Sequence, residues 1–325
     1  MKRAYTRMSK NKILITGGMG FIGSNLVRKL NANYPDFEIT IVDNLINGYP
    51  YQDIISRNKF LKIDVTNYND LVAIDSQFSH IVHLAALGSV PRSLSDPRST
   101  FLNNVVGTQN ICDLAMKHNA RVLFASSSSV FGGGETFSRI EEAPRNPISP
   151  YGFSKVHGEQ ILESYSQSFG LKVCAMRFFN VYGPYQNMRN EYAAVIPKII
   201  NSSINSKIFE IYGSGDQTRD FTYVDDLCNV IVGLLKLDSD LPEKINIAWS
   251  KEVSINSIIQ IVNQISANKL NTINKPERNG DIFKSKNDSS LLKTLFPNIE
   301  PTFIRDAIFS TYEWTKTVDK NIYYG

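Results

Sequence analysis

The chain has three cysteines in 325 residues, at positions 112, 174 and 228. They are too few and too scattered for a disulfide framework or a zinc cluster. Reduced, mostly buried thiols in a cytoplasmic protein are expected instead. No run approaches the roughly 20 apolar residues that a membrane span requires. The apolar triplet Ile13-Leu14-Ile15 follows a basic start, but Gly17, Gly18, Gly20 and Gly23 interrupt it at once, which argues against a secretory signal. Excess charge is also missing. Five basic side chains (Lys2, Arg3, Arg7, Lys10 and Lys12) fall in the first twelve residues, and with a net charge of +4 the remainder sits at about −1. A basic face for nucleic acid is therefore not indicated, and residues 1–11 read as a flexible leader. His80 and His83, three apart on an apparent strand, face opposite sides and make a poor metal pair, so no metal is expected. There is no internal repeat and no low-complexity segment.

What is present is a globular composition, 42% hydrophobic and 20% charged, long enough for two lobes around a cleft. The first half alternates strand-like and helical stretches. Strands are expected at Lys12–Thr16, Glu38–Val42, 61–63, 81–84, 122–125 and Val173–Phe178, and helices at 21–31, 103–117 and 151–169. Such alternation implies a parallel sheet covered on both faces. The second half is less regular, and its Pro and Gly positions suggest binding loops.

Gly17-Gly18-Met19-Gly20-Phe21-Ile22-Gly23 follows the first strand and opens the first helix. This spacing supplies a tight turn, close backbone approach to a pyrophosphate and close helix–strand packing. The helix N-terminus offers its N–H groups to the phosphates. Asp43 ends the second strand 20 residues beyond Gly23, where a carboxylate can bind both hydroxyls of an adenosine ribose and repel a 2′-phosphate, so NAD is favoured over NADP. Asp64-Val65 is placed to meet the adenine, and the small residues of His83-Leu84-Ala85-Ala86 let the backbone approach the cofactor. His83 itself reads as a packed strand-end residue. Tyr151 and Lys155, four apart, share a helix face. An ammonium near the phenol, together with a cationic nicotinamide, favours phenolate and makes a base usable near neutral pH. Ser126-Ser127-Ser128-Ser129 follows a strand, where one hydroxyl can bond the reacting hydroxyl of a substrate; position alone leaves open which. Of Asp225-Asp226, one is expected to cap the following helix.

With these motifs in view, the chain resembles the extended short-chain dehydrogenase/reductase (NAD-dependent epimerase/dehydratase) family over nearly its whole length. The stretches His83 to Ser93 and Tyr192 to Lys198 are similar to bacterial UDP-N-acetylglucosamine 4-epimerases. The resemblance implies a Rossmann-type doubly wound parallel sheet with a smaller α/β C-terminal substrate lobe. The dinucleotide domain would span 12–179 with a return segment about 220–247, and the substrate lobe 180–219 and 248–325. It extends the cofactor contacts to Asn44, Asn47, Gly48, Asn104, Phe178 and Val181, and places Gly88 and Ser89 with Ser127, Ser128 and Ser129 beside the sugar. Counting back from Val130, the catalytic hydroxyl falls on Ser127. Related dehydratases carry Asp-Glu just before that valine and decarboxylases a Glu, whereas this chain has Ser128-Ser129. Phe131 replaces a common tyrosine and is expected to pack. Asn180, Arg219 and Arg278 would hold a diphosphate, Ala194, Val195 and Lys198 a uridine, Tyr212 the uracil face and Asp281 a ribose. Ser285 aligns with a position that is small where an N-acetyl group is accepted. The implied activity is 4-epimerisation of a UDP-hexose through a 4-keto intermediate, preferably UDP-GlcNAc/UDP-GalNAc, with Tyr151 as base. UDP-glucuronate or UDP-glucose as substrate, and a noncatalytic NAD-binding sensor, stand as alternatives. A homodimer through a bundle of 103–117 and 151–169 is expected.

Overall fold

The computed structural model describes residues 12–133, 140–187, 194–277 and 287–318. The leader 1–11 and the residues Tyr192, Ala193, Arg278, Asp281 and Ser285 singled out above lie outside the described residues.

Among the described residues, six strands run in the first half: β1 (Lys12–Thr16), β2 (Glu38–Val42), β3 (Lys59–Leu61), β4 (His80–His83), β5 (Arg121–Ser127) and β6 (Val173–Phe178). The helices between them are α1 (Phe21–Asn33), α2 (Gln52–Ile55), α3 (Tyr68–Val72), α4 (Val90–Ser95), α5 (Pro97–Phe101), α6 (Gly107–His118) and α7 (Pro150–Phe169). The second half holds β7 (Val181–Tyr182), α8 (Val195–Ile204), β8 (Phe209–Tyr212), β9 (Thr218–Asp220), β10 (Thr222–Tyr223), α9 (Val224–Leu235), β11 (Lys244–Ile247), β12 (Glu252–Ser254), α10 (Ile255–Ser266), β13 (Thr272–Lys275), α11 (Ser290–Leu295) and α12 (Ile304–Thr317).

Seven strands form one sheet in the order β11-β6-β5-β4-β1-β2-β3, with every pairing parallel. Apolar runs such as Ile13-Leu14-Ile15 are buried on both faces, as helices on either side require. The chain builds outward from β1 through β2 to β3, then crosses to β4 and builds the other way. The β1/β4 boundary is therefore the topological switch point, outside whose carboxyl ends a ligand crevice opens. Residues 244–247 return to this sheet beside β6. A second core, with Ile196, Ile199, Ile200, Ile258, Val262 and Ile308, joins α8, α10 and α12 over the small pairs β7/β10, β9/β12 and β8/β13.

The structure corrects several sequence-based boundaries. The third strand is 59–61 rather than 61–63, because only these residues find partners on Thr40–Val42, and Ile63 N already turns back to Leu61 O at 3.0 Å. The helix expected at 103–117 begins at Pro97, where Asp96 caps it through Ser99 N (3.0 Å), and a π-helical turn at Leu102–Val106 leads into α6. Neither acid of Asp225-Asp226 caps α9; both lie in its first turn, where they suit the helix dipole. Asp225 pairs with Lys29 at 2.7 Å, and buried Asp226 accepts from Thr302 N and Oγ1. All three cysteines are free and buried, and burial pushes the Cys112 thiol up to about 12. Phe131 packs against Phe179 and under the guanidinium of Arg177.

Candidate active site

The glycine turn is shaped by what a side chain would hit. Gly17 has φ +70°, and a Cβ there would lie 2.6 Å from Ala85 N; one at Gly23 would lie 2.2 Å from Gly17 O. Turn, α1 and the end of β4 are thus in backbone contact. No side chain caps α1, and no acid sits in its first turn, so its N-terminus faces the crevice as an anion site. A cavity of about 590 Å³ opens here. It is lined by Gly17, Gly20, Phe21, Ile22, Gly23, Asp43, Asn44, Asn47, Gly48, Val65, Leu84, Ala85, Ala86, Gly88, Ser89, Tyr151, Lys155, Phe178 and Ala194.

Asp43 is buried, and its carboxylate accepts from Met19 N (2.9 Å) and Leu45 N (2.8 Å). Burial raises its pKa although both amides oppose the shift. His83 is held between Thr16 Oγ1 (2.7 Å) and Thr108 Oγ1 (3.1 Å), and burial pulls it down to about 3, so it is a neutral packed residue.

Ser149 caps α7 through Gly152 N (3.1 Å) with Pro150 in the first turn, which sets Tyr151 and Lys155 at the crevice. Lys155 Nζ donates to Ala125 O at 2.7 Å and stands 5.8 Å from the Tyr151 ring centroid. Burial pulls Lys155 down to about 7, with Glu159 opposing. Burial also raises Tyr151, opposed by a hydrogen bond from Ser127. Ser126 is tied to Glu159 Oε1 (2.6 Å) in a buried network with Arg177. Ser127 Oγ bonds Ser129 Oγ and Ser129 N, and reaches the site through Tyr151. Ser127, Ser128 and Ser129 do not themselves line the cavity.

Three cofactor expectations fall elsewhere. Asn104 is buried and spends its amide on Leu87 N, Leu87 O and Ser154 Oγ, so it shapes the wall from behind, and Asn103 lines it instead. The Asp64 carboxylate serves the Thr66 turn and Asn44. Val181 lines a second cavity, also about 590 Å³, together with Asn180, Ala194, Val195, Lys198, Tyr212 and Arg219. Ala194 lines both cavities, so they adjoin. Sequence reasoning missed Arg92, Tyr49, Tyr51, Tyr185 and Gln186, which also line the first cavity. The run of tyrosines at 49 and 51, next to Gly48, was the available signal.

The first cavity suits a dinucleotide: glycines where any Cβ would collide, a helix N-terminus for phosphates and a buried acid at the end of the second strand. Comparison with known proteins agrees. The model of the "NAD dependent epimerase/dehydratase family" matches residues 13–248. A solved UDP-N-acetylglucosamine 4-epimerase from Methanobrevibacter ruminantium, in complex with UDP-N-acetylmuramic acid, is 32% identical with a TM-score of 0.87, covering 94% of this chain and 98% of that one. A UDP-glucuronic acid 4-epimerase from Bacillus cereus, in complex with UDP-glucuronic acid and NAD, is 30% identical with a TM-score of 0.85, covering 94% and 99%. A UDP-N-acetyl-alpha-D-glucosaminuronate decarboxylase of Bacillus cytotoxicus is 31% identical over 82% of this chain and 84% of the relative. The chain belongs to the NAD dependent epimerase/dehydratase family, and NAD is its cofactor. Epimerases and decarboxylases stand at similar identity, so the reaction must be read from the site.

Proposed function

We propose that the chain interconverts the C4 epimers of a UDP-hexose, with UDP-GlcNAc and UDP-GalNAc preferred. One observation carries this: Tyr151, Ser127 and Lys155 meet at the end of β5, while the next two positions are serines. A 4-epimerase needs one proton acceptor at the C4 hydroxyl. Loss of water or of a carboxyl group needs a further acid or base, which Ser128 and Ser129 do not offer.

The glycine turn and the start of α1 would hold the pyrophosphate of NAD, Asp43 its adenosine ribose and Lys155 its nicotinamide ribose. When bound, NAD supplies the hydride acceptor and donor and brings a positive ring into the cavity that Tyr151 lines. Tyr151 takes the proton from the sugar O4 with Ser127 bonded beside it, and returns that proton after the keto sugar has turned about its diphosphate. Meanwhile the second cavity keeps the UDP part fixed, Asn180 and Arg219 on the diphosphate, Ala194, Val195 and Lys198 along the uridine and Tyr212 on the uracil. Arg278, Asp281 and Ser285 complete this proposal from the family pattern.

We also propose a homodimer. Leu94, Leu102, Val106 and Phe153, on the stretch from α4 to α6 and on α7, are exposed apolar residues that a second copy would cover. Light scattering at micromolar concentration tests it.

The function is tested by incubating purified protein with UDP-GlcNAc without added NAD and looking for UDP-GalNAc by chromatography, with UDP-glucose and UDP-glucuronate in parallel. Turnover of UDP-glucuronate alone would move the substrate to uronic acids. No turnover on any UDP-sugar, with NAD still bound, would leave a noncatalytic NAD-binding protein.

A further inference from the structure

The outer rim of the NAD cavity carries a cluster that none of these roles uses. The guanidinium of Arg28, on α1, lies 4.5 Å from the ring centroid of Tyr51 and 3.8 Å from that of Tyr185. Its Nε and Nη2 donate to Asp53 at 2.8 and 3.1 Å, which fixes the plane of the fork. The Tyr51 and Tyr185 rings meet edge to face at 5.6 Å, and Trp314 of α12 packs against Tyr185 at 5.2 Å. Segments far apart in sequence are thus drawn onto one cation.

Three further observations tie this cluster to the cofactor and distinguish it from ordinary surface packing. Tyr51 and Tyr185 both line the NAD cavity. Tyr185 also has φ +66°, a left-handed conformation that a bulky side chain adopts only when its surroundings hold it there. The same loop is tied to α1 a second time, by Asn25 Nδ2 donating to Pro184 O at 2.9 Å. The segment after β2 and the segment after β7 flank the N-terminus of α1, and Arg28 joins them across the outside of the cavity. Separating them requires parting a cation from two aromatic faces and from a carboxylate.

We infer that Arg28, Tyr51 and Tyr185 form a clasp that retains NAD between turnovers. This rests on the assignment of the first cavity to NAD. A catalyst that gives the hydride back to the carbon it came from has no need to exchange its dinucleotide, and a closed rim suits that economy.

The test follows NAD itself. Wild type, Arg28→Gln and Tyr185→Gly are loaded with NAD, and its loss after dilution is timed with an enzymatic trap for free NAD. NAD per chain after purification is measured on denatured samples. Wild type should hold its NAD, and both variants should release it at least about tenfold faster and purify with less than one NAD per chain. Glycine accepts φ +66° without strain, so Tyr185→Gly decides the matter if Arg28→Gln does not fold. Unchanged release from Tyr185→Gly, in a protein that melts cooperatively, overturns the clasp while leaving the cavity assignment intact. A wild type that binds no NAD at all overturns the cavity assignment instead.

Discussion

Replacing Lys155 by Met should make the NAD-free protein less sensitive to pH. Lys155 is buried and its pKa falls from 10.5 to about 7, mainly through desolvation. Between these two values the unfolded chain binds a proton that the folded chain does not, so stability rises with pH across that window. The penalty is fully present below about pH 7 and is lifted as the pH climbs toward 10.5. With these two values, linkage makes wild type gain about 3 kcal/mol between about pH 6 and pH 9 from this one group. Met has nearly the same length and no charge, so the variant lacks the gain. Losing the 2.7 Å bond to Ala125 O lowers the variant's stability at every pH alike and drops out of the comparison. The assay is urea unfolding of both NAD-stripped proteins at several pH values, comparing the difference between their stabilities. That difference should move in favour of wild type by a few kcal/mol as pH rises. Parallel curves would refute the reasoning, because they would mean that Lys155 keeps its ordinary affinity for a proton inside the fold.

Other outcomes follow from the same geometry. Tyr151→Phe should lower kcat by about 10²- to 10⁴-fold while NAD remains bound, measured as product formed per bound NAD; near-normal turnover would remove Tyr151 from the mechanism. Gly23→Ala sets a methyl 2.2 Å from Gly17 O and 2.6 Å from Gly18 Cα, so the urea midpoint should drop by the equivalent of about 1–3 kcal/mol and NAD content should fall with it. Glu159→Gln takes the countercharge from buried Arg177, which it meets at 2.7 and 2.8 Å, and should destabilise by about 3–5 kcal/mol in thermal or urea melts. A loss under about 1 kcal/mol would mean that Arg177 finds another partner or water. From the family pattern rather than from geometry, Ser285→Tyr should impair UDP-GlcNAc turnover while sparing UDP-glucose; equal loss on both would end the reading that a small side chain at this position admits an N-acetyl group.

The features legible in sequence were those whose cause is local. The glycine turn, the acid closing β2 and the four-residue spacing of Tyr151 and Lys155 each announce their geometry within a few residues, and Ser149-Pro150 marks the start of α7. What escaped depends on contacts between distant segments. Nothing near Arg28 indicates that Tyr51 and Tyr185 will stack on it, and nothing near Asn104 indicates that Leu87 and Ser154 will take up its amide. The four serines in a row could not be sorted by position alone, because their separation comes from Glu159 claiming Ser126 and from a 3₁₀ turn drawing Ser129 back to Ser127. The depth of burial at Lys155 escaped for a related reason. Spacing reveals a neighbouring charge, but the depth of burial that opposes it is set by the assembled sheet and helices.

The last strand of the main sheet has a consequence for how the protein is made. β11 pairs with β6, and Asn246 N is bonded by Glu141 Oε1, yet residues 244–247 leave the ribosome long after every other strand of that sheet. Until then the nascent chain carries an open parallel edge along 173–178, competent to pair with the wrong partner. Synthesis and folding of the dinucleotide half therefore cannot finish at its apparent boundary, and a fragment cut near residue 180 would be left with that edge bare.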